Sequence, residues 1–125
     1  MLNPEHIRAV VFDLDDTLCA YWEASKRALR QSFAELTPDG LTPDEIYDSW
    51  AGTFRSFSKQ LKTTPWYATY LLKGEPTRTE QMRQALEWHG IADPCLAEKL
   101  STRYHDLRDA YLELFPESLE VLDKV

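Results

Sequence analysis

The sequence predicts an α/β fold in which helices far outnumber strands, and three observations lead there. The apolar run Ala9-Val10-Val11-Phe12 reads as a short buried strand. Two carboxylates separated by one residue, Asp13 and Asp15, stand at its carboxyl end, which is where open parallel sheets bind ligands. Beyond them, apolar residues recur at helical spacing between proline and glycine breaks, so four or more helices follow the strand.

The strand is expected over about Arg8 to Phe12. Trp22, Leu29, Phe33 and Leu36 mark a first amphipathic helix that Pro38-Asp39-Gly40 closes. Thr42-Pro43-Asp44-Glu45 has the form of a capping box with proline at the first helical position. It opens a helix with the apolar stripe Ile46, Trp50, Phe54, Phe57 and Leu61, and Thr63-Thr64-Pro65 interrupts it. A short helical turn over Trp66 to Leu72 is expected next. Thr77-Arg78-Thr79-Glu80 reads as a second capping box, opening a helix through Met82, Leu86 and His89 that Gly90 ends. Asp93-Pro94 begins another, with Leu96, Leu100, Tyr104, Leu107 and Tyr111 on one face. Phe115-Pro116 breaks it, and Glu117 to Val125 starts a last helix. A single strand cannot form a sheet, and its unpaired backbone groups would be costly if buried. Either it pairs with something absent or the chain is incomplete.

The 125 residues, with 43% hydrophobic and 12% aromatic content, suit about one globular domain. A formal net charge of −7 argues against nucleic acid, whose recognition usually needs a basic face, and phosphate esters would need a cation or local Lys and Arg. Cys19 and Cys95 are the only cysteines, and the start MLNPEHIR is not leader-like, which points to a reducing cytoplasm. No apolar stretch approaches the roughly 18 residues of a membrane span, so no membrane is expected among the partners.

The string FDLDDTL, residues 12–18, resembles the first signature motif of the haloacid dehalogenase superfamily. The resemblance covers about a dozen residues around the motif, while the rest agrees in layout: a motif-bearing strand, a helical insertion, and a return after a proline. It implies a Rossmann-like core, of which only the first strand and the return helix would lie here, with a mainly α-helical cap. Residues 1–18 would be the first core strand and catalytic loop, 19–112 the cap, and 113–125 the start of the return. The implied activity is phosphatase-type hydrolysis of a small-molecule phosphate ester, dependent on Mg²⁺. Asp13 matches the nucleophile that forms an aspartyl-phosphate, and Asp15 the general acid and base. Thr17 matches the residue that fixes the loop. The cation would be held by the Asp13 carboxylate and the Asp15 backbone carbonyl, hard oxygen donors suited to Mg²⁺. Asp at position 15 favours phosphoryl transfer over dehalogenation, which needs no acid at that step.

Physical reasoning agrees with those roles. Along an extended backbone, residues two apart lie roughly 6–7 Å from each other and point the same way, leaving room for a phosphoryl group between them. The superfamily's later motifs, a Ser or Thr, a Lys and acidic metal ligands, have no counterpart among these residues; Lys73 and Lys124 fall in an expected cap loop and the final helix. The 125 residues alone are therefore expected to turn over no substrate. Other readings of the carboxylates fare less well. An EF-hand loop needs an acid or amide fifth, glycine sixth and glutamate twelfth, where Thr17, Leu18 and Ala24 stand. A phospho-acceptor receiver domain needs alternating strands and helices. Asp16 reads as a solvated turn residue. Trp50, Phe54, Phe57, Trp66, Tyr67 and Tyr70 read as helical core, with Trp66 to Tyr70 also placed to line a substrate pocket. The alternative to the enzyme is a catalytically silent helical interaction module that retains the motif as a relic. Oligomeric state is not legible.

Overall fold

Four long helices share one apolar interior in the computed structural model, which describes residues 3–125. Helices α1 (Tyr21–Leu36) and α2 (Pro43–Gln60) are joined by a short turn. A single 3-10 turn (Leu61–Thr63) and the short α3 (Trp66–Leu72) lead to α4 (Glu75–Glu87) and α5 (Pro94–Tyr111). In space α1 packs on α5 and α2, and α4 packs on α5 and α2, closing a four-helix ring. Leu29 and Phe33 of α1, Ile46 and Trp50 of α2, Met82 and Leu86 of α4, and Leu100 and Tyr104 of α5 meet inside it. Phe33 is wholly buried, which stabilises the fold by about 1.5–3 kcal/mol over leaving it in water.

Local chemistry sets the helix ends. Thr42 Oγ1 accepts from Glu45 N–H at 3.2 Å, with Pro43 in the first turn, so half of the expected capping box forms; among the described residues the Glu45 carboxylate does not return the bond to Thr42 N–H. Asp93 Oδ1 caps α5 by accepting from Leu96 N–H at 3.0 Å. Gly90, at φ +73°, turns the chain out of α4 into the left-handed region that glycine enters freely. The second expected capping box is not one. Helix α4 begins at Glu75, with Pro76 in its first turn, so Thr77 already lies inside the helix. Its hydroxyl donates to the Gly74 carbonyl at 2.7 Å instead of accepting from a terminal N–H. Trp22 also departs from expectation, being exposed, while small residues (Ala24, Ser25, Ala28, Ser32) share the buried face of α1 with Leu29 and Phe33.

The expected α/β class is overturned. Among the described residues there is no sheet, and the secondary structure is six α-helices and two 3-10 turns. Residues 7–14 form neither strand nor helix. Val10 is 53% and Val11 93% exposed, so the apolar run faces solvent instead of lying in a sheet. The reason is pairing: a strand is stable only with neighbours that satisfy its backbone, and the one other non-helical apolar segment, Leu112 to Phe115, bridges Cys19 and leaves residues 9–12 unpaired. No Rossmann-like core is present among the described residues, and the expected return appears as α6 (Ser118–Lys124), a helix that packs on none of the other five. Leu119, Val121 and Leu122 on it are exposed.

Candidate functional site

The motif residues form a tight loop fastened to the start of α1. The Leu14 carbonyl accepts from both Leu18 N–H and Cys19 N–H at 3.0 Å, and Asp16 N–H donates to the Cys19 carbonyl at 2.8 Å. This closure requires a left-handed residue, and Asp16 supplies it with φ 59°, a conformation aspartate tolerates better than most side chains. Asp16 Oδ1 then accepts from Trp22 N–H at 3.0 Å and so satisfies a terminal donor of α1. Ala20, the formal cap residue, has no side chain able to do that. Asp16 is therefore a turn residue, as its sequence context suggests, and also the capping group of α1, which the sequence did not disclose.

A second set of bonds ties the loop to the chain leaving the bundle. Cys19 pairs with Leu114 in an antiparallel bridge. Ala20 N–H donates to the Glu113 carbonyl at 2.7 Å, and Phe115 N–H to the Leu18 carbonyl at 2.9 Å. The Ser118 hydroxyl adds a bond to the same Leu18 carbonyl at 2.8 Å. The two connections of the helical ring thus run side by side. Cys19 is buried in this junction, whereas Cys95 is exposed and distant in sequence.

Asp13, Asp15 and Thr17 are all exposed on the loop. Thr17 Oγ1 donates to Asp13 Oδ2 at 3.3 Å, so the residue expected to position the loop does touch the expected nucleophile. The donors present fit Mg²⁺ in kind: Asp13 offers a carboxylate oxygen, and no backbone N–H among the described residues bonds to the Asp15 carbonyl. Mg²⁺ commonly keeps several waters and takes one or two protein carboxylates plus phosphate oxygens. No group of three or more His, Cys, Asp or Glu side chains among the described residues is arranged to hold a metal.

Elsewhere, Trp50 stacks on Phe54 at 5.1 Å in the core, as expected. Trp66, by contrast, 6.2 Å from Phe57, pairs with it outside the core and is only half-buried, as are Phe57 and Tyr67, with Tyr70 exposed. Within the Trp66–Tyr70 group, Tyr70 reaches the wall of a cavity. His89 contacts Ser49 Oγ through Nε2 at 2.5 Å. No helix among the described residues is long and apolar enough to cross a membrane. Compared with protein-family models, curated proteins and solved structures, the chain matches none.

Proposed function

We propose that the protein is a phosphatase-type hydrolase that uses Asp13 as nucleophile and Asp15 as general acid and base on a small-molecule phosphate ester, with Mg²⁺. The reading rests on the likeness of FDLDDTL to the haloacid dehalogenase motif. The observation that carries it further is the division of labour in the loop. All three aspartates are exposed, but the Asp16 side chain is engaged by the α1 cap, whereas that of Asp13 meets only the Thr17 hydroxyl and that of Asp15 has no hydrogen-bond partner among the described residues. A purely structural turn would need Asp16 alone.

In this mechanism Asp13 attacks the phosphorus while Asp15 protonates the departing alkoxide. The ester P–O bond breaks as the new P–O bond to Asp13 forms. Asp15, now a carboxylate, takes a proton from water, and the hydroxide formed releases phosphate from Asp13. Thr17 restrains the Asp13 carboxylate through its hydroxyl. The Asp13 carboxylate and the Asp15 carbonyl would hold Mg²⁺, which would supply positive charge against the phosphoryl oxygens in a chain of net charge −7.

A silent helical interaction module is the second reading, and one observation favours it. Exposed apolar side chains cluster in the segments flanking the bundle, Val10, Val11 and Leu14 on one side and Leu119, Val121 and Leu122 on the other. Hydrolysis of aryl and alkyl phosphates by the protein at its full natural length, with Mg²⁺, separates the two. The enzyme reading expects turnover that Asp13→Asn removes almost entirely. No turnover on any phosphate ester, or an Asp13→Asn variant within tenfold of the parent, would favour the module.

A further inference from the structure

A cavity of about 220 Å³ lies where α1 begins, α4 begins and α5 ends, beside the junction that anchors the motif loop. Its wall carries two guanidinium groups, Arg78 of α4 and Arg108 of α5, and no carboxylate. In a chain of net charge −7 that is an unexpected local balance. The positions are thirty apart in sequence, and only the packing of α4 on α5 brings them to one cavity.

Most other arginines here have evident partners. Arg83 is held by Glu80 and Glu87, and Arg103 by Glu35. Arg27 and Arg30 lie over the rings of Tyr111 and Tyr47. Arg78 differs: it forms no ion pair among the described residues, and its Nε is buried without a hydrogen-bond partner. A buried charged donor left unpaired is costly. Burial first, and the neighbouring Arg108 charge second, depress the Arg78 pKa. Arg108 lies 5.4 Å from the ring centres of both Tyr21 and Tyr104 and donates to the Tyr21 hydroxyl at 3.1 Å. Its one acidic contact, Asp109 at 3.4 Å, is on the exposed side. Gly74 makes room for the first arginine, since a Cβ there would come within 3.0 Å of Arg78 Nη1.

Five aromatic side chains, Trp50, Phe54, Tyr21, Tyr70 and Tyr104, line much of the remaining wall, together with Met82 and the polar Thr77 and Gln81. Like charges brought together and partly desolvated, with a donor left over, call for an oxyanion, which two guanidinium forks recognise well. A cavity of this size is below that of drug-sized sites, which limits the occupant to about one ring.

We propose that this cavity binds a small organic anion composed of one aromatic ring and one oxyanion group, with Arg78 and Arg108 holding the oxyanion and the aromatic wall holding the ring. The site is separate from the Asp13–Thr17 loop and does not depend on the phosphoryl-transfer reading.

Titration by NMR in the Asp13→Asn/Asp15→Asn background tests it, with benzoate and phenyl phosphate as probes and benzyl alcohol as the uncharged control. At least one anion is expected to bind saturably, shifting Trp50 and Tyr104 resonances, at least tenfold more tightly than benzyl alcohol. Comparison of the two anions tells whether carboxylate or phosphate is preferred. Arg78→Met should weaken binding by about ten- to a hundredfold, the worth of hydrogen bonds to a charged group. Arg108→Met, checked for retained helicity alongside it, should act in the same direction. Absence of saturable binding by either anion at millimolar concentration would overturn the proposal. So would equal binding of benzyl alcohol, or anion binding that neither folded arginine variant weakens.

Discussion

Replacing Asp16 probes the loop and its helix together. Its side chain accepts from Trp22 N–H at 3.0 Å, and its backbone sits at φ 59°. In Asp16→Ala both features are lost. Loss of a capping acceptor costs about 1 kcal/mol, and placing alanine in the left-handed region adds about 1–2 kcal/mol. The sum is roughly 2–3 kcal/mol. Asp16→Gly loses the cap but relieves the backbone, so about 1 kcal/mol is expected. Asp16→Asn keeps an acceptor and tolerates the same conformation, and it gives up only the favourable interaction of a carboxylate with the helix amino terminus, about 0.3–1 kcal/mol. Urea unfolding followed by far-ultraviolet circular dichroism measures these differences. With a slope of about 1–3 kcal/mol per molar urea for small proteins, the Asp16→Ala midpoint should fall by roughly 0.7–3 M. The expected order of stability is aspartate, asparagine, glycine, alanine. An alanine variant as stable as the parent, or more stable than the glycine variant, would refute the capping and turn assignments.

The remaining predictions concern the chemistry and one ion pair. Asp15→Asn should slow hydrolysis by roughly 10²–10⁴-fold, less for aryl than for alkyl phosphates because aryl leaving groups need less protonation; equal losses in steady-state assays would make Asp15 structural. Activity should vanish on chelation and return with Mg²⁺, and full activity in excess chelator would exclude the cation from the mechanism. Glu35 is held at a pKa of about 2, chiefly by the hydrogen bond from Arg103 and then by Gln31. Because the folded value lies below the ordinary 4.5, its stabilising contribution is complete above that value and is lost as pH falls toward the folded one. An NMR titration should show Glu35 moving back toward the ordinary range in Arg103→Met.

The helices were legible because their signals are local. Thr42 with Glu45, Asp93 with Pro94, and the stripe of Leu100, Tyr104 and Leu107 each need only a few neighbouring residues to be read. Thr77 to Glu80 misled because the same spacing occurs inside a helix already begun, and the true start was the Glu75-Pro76 step. The strand at residues 8–12 failed for a different reason. A short apolar run carries no information about whether a partner strand exists, and Val11 is left facing solvent. In the candidate site, Asp13, Asp15 and Thr17 were picked out by their spacing, and the Thr17–Asp13 contact follows from a four-residue turn. The capping role of Asp16 depends on a backbone angle that no spacing reveals. Arg78 and Arg108 were invisible for the same kind of reason, since their meeting depends on how α4 lies against α5.

The central claim, that Asp13 attacks phosphorus, is tested most directly by looking for the covalent product. The protein is incubated with Mg²⁺ and a reactive phosphoryl donor such as acetyl phosphate, quenched in acid, digested and mapped by mass spectrometry. One phosphoryl group on Asp13, formed only with Mg²⁺ and absent from Asp13→Asn, is the predicted result. A phosphoryl group on another residue, or none on Asp13 while phosphate is released at the parent rate, would contradict it.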